Sequence, residues 1–276
     1  MTREAEAAWS DTSGRLDQRV AVVTGSSSGH GRAIALRLAR EGASVVCVDL
    51  RKSALPAGFE EDIEIDTDDA IRSHGGQAEF VEADVTSAAA LGSAAERAVD
   101  AFGRLDVWVN NAGVFLGLTS LLDESEEAFA RTIDVNLRGT WLGCRAAVSR
   151  MRDQEPEGRS RGRIVNIGSI AGEIGQADIG AYSASKGAVH NLTRALAIEC
   201  APSLINVNAI APGYFPTAMN RAFWDDPEAL AGVQALHPLP LGTPDDIAAA
   251  AAFLASDDAA FITGAILPVD GGVLAK

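Results

Sequence analysis

The chain of 276 residues is poor in cysteine, histidine and aromatic side chains, and has fewer positive than negative charges. Its three cysteines, Cys47, Cys144 and Cys200, stand far apart with no CxxC pair. A scattered, odd count argues against a disulfide framework or a zinc site and points to buried free thiols. The four histidines, at 30, 74, 190 and 237, show no HExxH spacing, so no metal is expected. With 23 basic residues against 38 acidic ones, the chain lacks the clustered Lys and Arg that a nucleic-acid backbone demands. No apolar run approaches the roughly 18 residues of a membrane span. The opening "MTREAEAAWSDTSGRL" holds no signal-peptide core. These absences imply a cytoplasmic protein with a polar lead-in at 1–17 and a single domain over 18–276.

Hydrophobic residues make up 47% of the chain, enough for a sizeable core. Short β-branched runs alternate with amphipathic ones. Strands are predicted at 19–25, 44–50, 77–85, 105–113, 162–169, 205–213 and 265–272. Helices are predicted at 31–43, 87–103, 123–150 and 181–200, with a short one in "DTDDAIRSHGG". This alternation predicts an α/β fold, one doubly wound parallel sheet of about seven strands with helices on both faces. Two charged stretches, 51–65 and 153–163, break the rhythm and read as surface insertions.

"TGSSSGHG" (24–31) joins the first predicted strand to the first helix. Gly25, Gly29 and Gly31 permit a tight turn, and the helix N-terminus offers unpaired N–H groups to a pyrophosphate. Asp49 ends the second strand, where a carboxylate can accept hydrogen bonds from adenosine ribose hydroxyls. It would repel a 2′-phosphate, favouring NAD over NADP, although Arg51 and Lys52 stand nearby. In "AYSASKGAVHNL" (181–192), Tyr182 and Lys186 are one helical turn apart and leave the same face.

Taken together, TGxxxGxG at 24–31, Asp84-Val85, "NNAG" at 110–113, Asn136, Ser169, the YxxxK pair at 182 and 186, and Pro212-Gly213 followed by Thr217 form an ordered set. From about residue 18 to 274 the chain resembles the short-chain dehydrogenase/reductase family. The resemblance implies a Rossmann-like domain, a nicotinamide cofactor and hydride transfer between an alcohol and a ketone or aldehyde. It further implies a homotetramer or homodimer, with helices 87–103 and 123–150 forming one interface. His30 departs from the family, which usually has Ile there.

The resemblance assigns Tyr182 as general acid/base, with Lys186 tuning it and holding the nicotinamide ribose. Ser169 would hydrogen-bond the reacting oxygen, and Asn136 would anchor a water linking Lys186 to solvent. Cofactor contacts would come from Gly25, Ser27, Ser28, Gly29, His30, Gly31, Asp49 and Leu50, and from Asp84 and Val85 at the adenine. Asn111, Ala112 and Gly113, then Pro212, Gly213, Phe215 and Thr217, would complete the set. A phenol has an ordinary pKa of about 10, and a neighbouring ammonium is expected to lower it.

Residues 214–240 should cover the substrate. Phe215, Met219, Phe223, Trp224, Leu236 and His237 there, with Trp141, Glu173, Ile174 and Gln176 as further candidates, suggest a small, partly apolar alcohol or ketone, or a polyol with one apolar face. A dinucleotide-binding sensor or scaffold without turnover is the alternative, disfavoured by the intact Ser–Tyr–Lys set.

Overall fold

The computed structural model describes residues 14–60 and 62–276. Seven strands, β1 (Val20–Thr24), β2 (Ser44–Asp49), β3 (Ala78–Glu82), β4 (Val107–Asn110), β5 (Gly162–Ile167), β6 (Ile205–Pro212) and β7 (Ile266–Val269), form one sheet in the order β3-β2-β1-β4-β5-β6-β7. Every pairing is parallel. Parallel strands covered on both faces need apolar residues at consecutive positions, and β1, "VAVVT", is buried throughout. Ala21 and Val23 point into one core layer, while Val20 and Val22 point into the other. Burying each such Val stabilises the fold by about 1.5–3 kcal/mol.

The first layer holds α1 (Gly29–Arg40) and α9 (Pro244–Ala255). The second holds α3 (Ala88–Phe102) and α5 (Gly139–Met151), packed around the fully buried Trp108. The remaining helices are α2 (Thr67–Ser73), α4 (Glu126–Ile133), α6 (Gly180–Cys200), α7 (Arg221–Asp225) and α8 (Pro227–Leu236). Among the described residues no helix is long and apolar enough to cross a membrane. All three cysteines are free and buried, as expected.

Several boundaries differ from the sequence expectations. The lead-in expected at 1–17 lies largely outside the described residues, but Leu16 is already buried and its N–H donates to the Glu41 carbonyl at 2.8 Å. The helix predicted over 123–150 contains a π-helical turn, Asp134–Arg138, between α4 and α5. Such a turn inserts an extra residue without leaving the helical backbone region, and is frequent at functional sites. Helix α9 has no counterpart among the predicted elements. Its "IAAAAAFLA" run is apolar on every side and shows no helical period. Its start is nonetheless marked: Pro244 opens the helix and the Asp246 carboxylate accepts from the Thr243 N–H at 2.8 Å.

Neither charged insertion is idle. Glu157, in 153–163, pairs with Arg19 at 2.7 Å and Arg104 at 2.6 Å, tying the loop to the N-terminal ends of β1 and β4. In 51–65, Lys52 Nζ lies 3.6, 3.2 and 2.9 Å from Asp66, Asp68 and Asp69, anchoring the connection to α2. Buried Arg32 reaches Asp62 at 3.0 Å.

Ile247 of α9 is fully buried in the layer that also holds Ile34 and Leu38 of α1. Ile247→Ala should therefore cost about 2–5 kcal/mol, read as a lower urea midpoint at unchanged slope. A loss below about 1 kcal/mol would mean that α9 is peripheral to the core.

Candidate active site

The cleft opens at the C-terminal ends of the strands, where β1 has neighbours β2 and β4 that lead in opposite directions along the chain. Such a switch point leaves a crevice between the loops that follow the strands. After β1 the chain turns through Gly25 (φ +65°) and Gly29 (φ +54°), backbone that a side chain rarely adopts. A Cβ on Gly31 would lie 1.9 Å from the Gly25 carbonyl oxygen, so only glycine closes this turn. The "NNAG" loop after β4 locks it from above. Asn111 Nδ2 donates to the carbonyls of Thr24 at 2.9 Å and Gly25 at 3.0 Å. Thr24 Oγ1 accepts from the N–H groups of Asn111 at 3.0 Å and Ala112 at 3.1 Å.

At the end of β2, Asp49 accepts from the Ser27 N–H at 3.1 Å and the Leu50 N–H at 2.7 Å. Asp49, Leu50 and Arg51 all line the cleft. Asp84 and Val85 form the next part of the wall. Asp84 accepts from the Thr86 N–H and hydroxyl, each at 2.8 Å, and the backbone bond holds its carboxyl below the usual range. A cleft with a glycine-only turn at the start of α1 and a carboxylate after β2 fits a dinucleotide.

Across the cleft, α6 begins at Gly180 and carries Tyr182 and Lys186 on its inner face. Lys186 Nζ lies 5.7 Å from the centre of the Tyr182 ring and donates to the Ile167 carbonyl at 2.8 Å. Ser169, just beyond β5, caps a 3-10 turn by accepting from the Ala171 N–H at 3.1 Å, and lines the cleft together with Tyr182. The three groups meet in one place.

Asn136 stands one layer behind the cleft wall, in the π-helical turn. Its side chain accepts from the Val114 N–H at 2.7 Å and donates to the Val114 carbonyl at 3.0 Å and Ser185 Oγ at 3.1 Å. It thereby ties the loop after "NNAG" to α6. A Cβ on Gly113 would come 3.2 Å from Asn136 Oδ1 and 3.7 Å from Lys186 Nζ, so the three residues are neighbours.

The electrostatics differ from the sequence expectation. Burial pushes the Tyr182 phenol up to about 12; the Ser169 hydrogen bond pulls the other way, and the nearby Tyr214 raises it further. Burial also pushes the Lys186 ammonium down to about 8. Among the protein's own groups, desolvation of the phenolate is the largest effect. His30 is pushed down to about 4, first by burial and then by the Lys186 charge, so its imidazole is neutral.

The cleft measures about 410 Å³, within the range of small-molecule sites. Beside Tyr182 its wall is aromatic. Phe115 stands edge-on to the Tyr182 ring at 5.4 Å, and Phe223 stacks on Phe115 at 6.5 Å. Tyr214 meets Phe223 edge-on at 5.5 Å, and its hydroxyl donates to Gln176 Oε1 at 3.2 Å.

Most residues expected at the site line this cleft: Gly25, Ser27, Ser28, Gly29, His30, Ala112, Gly113, Pro212, Gly213 and Thr217 join those already placed. Gly31 lies beneath the turn. The Phe215 side chain, a substrate candidate, instead enters the core on the α1–α9 side, edge-on to His30 at 5.2 Å; the contact expected of its backbone is a separate matter.

Of the substrate candidates, Met219, Phe223 and Gln176 line the cleft. Trp141, Ile174 and Leu236 are exposed, and Trp224 packs on Phe59. His237 is buried, accepting from the Tyr214 N–H at 3.3 Å. Glu173 turns to the buried His190, 2.9 Å from Nδ1. His190 Nε2 in turn faces the Ser169 N–H at 3.4 Å.

Tyr214, Phe115 and His190 are absent from the sequence expectations. Only His190 carried a signal, since it continues the Tyr182 and Lys186 face at the next turn of α6.

The family model that matches residues 25–274 is described as enoyl-(acyl carrier protein) reductase. The chain is 41% identical over 261 residues to 3beta-hydroxysteroid dehydrogenase 1 of Eggerthella lenta, covering 94% of each chain. It superposes on carveol dehydrogenase from Mycobacterium avium in complex with NAD with a TM-score of 0.85, at 35% identity, covering 96% of this chain and 100% of that one. A Beutenbergia cavernae structure with bound NADP gives 0.83 at 39% identity, covering 95% and 98%. Matching sequence over nearly the full length, matching fold and the assembled motif residues lead to one conclusion: the chain belongs to the short-chain dehydrogenase/reductase family.

Proposed function

We propose that the protein is an NAD-dependent oxidoreductase that interconverts a small secondary alcohol and its ketone, with Tyr182 as general acid/base. The observation that carries this reading is the meeting of Ser169, Tyr182 and Lys186, with Lys186 Nζ 5.7 Å from the Tyr182 ring centre, in a cleft that starts at the glycine turn. Exchange of hydride with the substrate carbon is the chemistry a nicotinamide dinucleotide supplies when bound. The protein's own residues handle the oxygen. Ser169 orients it, and Tyr182 gives up its proton in reduction or takes one in oxidation. A phenol held at about 12 is protonated at neutral pH, the form reduction needs. Lys186, held in place by the Ile167 carbonyl, and Asn136, which braces α6, keep the phenol in register.

The aromatic wall favours a compact ring or aliphatic alcohol over a charged one. The relatives with printed activities from Eggerthella and Mycobacterium, a hydroxysteroid and a carveol dehydrogenase, support that class. For the cofactor, Asp49 supports NAD. Its carboxylate faces the cleft, held by two backbone N–H groups, where a 2′-phosphate would meet like charge. For assembly, we place a homotetramer or homodimer interface on α3 and the α4–α5 helices, whose outer faces carry Phe129 and Trp141 at 47% and 43% exposure.

Tyr182→Phe should cut turnover by about 10²–10⁴-fold while NADH still binds, followed by absorbance for turnover and fluorescence for binding. In the wild type, oxidation needs the deprotonated phenol and reduction the protonated one. The oxidation rate should therefore climb with pH above neutrality, while the reduction rate falls only as Tyr182 titrates. An active Phe variant would remove Tyr182 from the chemistry. Asp49→Ser should lower the kcat/KM preference for NAD over NADP by about tenfold, near 1.4 kcal/mol; a wild type that prefers NADP would refute the assignment. Sedimentation should find a dimer or tetramer that Trp141→Arg weakens, and a wild-type monomer would refute the interface.

A further inference from the structure

The segment after β2 reaches back over the glycine turn. Ser27 Oγ donates to the Arg51 carbonyl at 2.7 Å, and Ser28 Oγ accepts from the Leu55 N–H at 2.7 Å. Ser28 is the N-cap of α1, yet its hydroxyl gives no bond to its own helix, and the first turn of α1 contains no acid. The positive end of α1 is met instead by a residue remote in sequence. The Gly29 N–H donates to Glu60 Oε1 at 2.5 Å. Helix N-termini attract anions because their N–H groups are unpaired and the helix dipole adds positive potential. Here an internal carboxylate takes that place. The other carboxylate oxygen, Oε2, is buried without a partner, so the contact is only half satisfied.

The same segment touches the substrate side. Phe59 lies 4.4 Å beneath the Arg221 guanidinium and packs edge-on against Trp224 at 6.1 Å, both on α7. Glu60 and Phe59 thus join the glycine turn to the helices over the substrate end.

We infer that Glu60 is an internal competitor for the dinucleotide: its carboxylate holds the anion subsite at the N-terminus of α1, and cofactor binding displaces it together with the Phe59 clasp on α7. The inference rests on the cofactor reading above and adds a residue that sets affinity and couples cofactor entry to opening of the substrate cover. One N–H cannot serve a pyrophosphate oxygen and a carboxylate together, and two anions at that distance repel.

Glu60→Gln keeps a neutral acceptor for Gly29 and removes the charge. It should bind NADH about tenfold more tightly than wild type, by fluorescence titration, with little change in melting temperature. Phe59→Ala, which releases the clasp and leaves the carboxylate, should tighten binding by a few-fold. In the wild type, NADH should speed hydrogen exchange in residues 51–60. Equal or weaker binding by the Gln variant, or protection of 51–60 by NADH, would overturn the inference. NADH binding equally to wild type and variant leaves the cofactor reading standing without it. Binding to neither overturns both.

Discussion

The placing of half-buried Tyr182 and buried Lys186 on one face of α6 is the constraint around which the cleft is built. Taking a phenol and an ammonium out of water raises the cost of both charges, and the two shifts run in the directions burial dictates: the phenol up, the amine down. The surrounding structure limits how far that goes. Ser169 faces the same cleft as the phenol, the Ile167 carbonyl accepts a hydrogen bond from the amine, and Asn136 fixes the neighbouring turn through Ser185. A titratable pair partly withdrawn from water needs such partners to hold one geometry. The π-helical turn brings Asn136 beside that pair, and the "NNAG" loop reaches Asn136 through the Val114 backbone bonds.

The sheet and the glycine turn were legible from the chain alone because their signals are local. Consecutive β-branched residues in β1 can satisfy both layers only in a parallel sheet covered on each face, and the cores confirm that division. Gly31 is required by a carbonyl six residues earlier in the same turn. The Tyr182–Lys186 spacing followed from helix geometry once a helix was predicted there. Helix α9 escaped notice for the converse reason, since an alanine run packed on all sides has no period to read.

Contacts made across the fold left less trace. Nothing adjacent to Glu60 marks it as the partner of Gly29, which lies 31 positions away. His190 and Glu173 meet behind Ser169 only once α6 is laid against the turn after β5. Tyr214 joins the aromatic wall because the chain after β6 folds over the cleft. The upward push of burial on Tyr182 left no trace on the same ground: spacing reveals the cation, whereas burial depends on what the rest of the chain brings over it.

Net charge ties these features together. A chain at -15 has to hold an anion without surrounding it with basic side chains. The glycine turn achieves this with backbone N–H groups at a helix end, whose dipoles carry no net charge. Such a site recognises negative charge generally and cannot distinguish a phosphate from a nearby carboxylate by charge alone. In an acid-rich chain the connection after β2 supplies that carboxylate in Glu60. Discrimination must then come from the groups around it: Asp49 at the end of β2, the Thr217 side chain 3.3 Å from where a Gly29 Cβ would stand, and the Phe59 contact with α7. A ligand that engages the whole cleft can make contacts the single carboxylate cannot, and this difference in contacts favours it over Glu60.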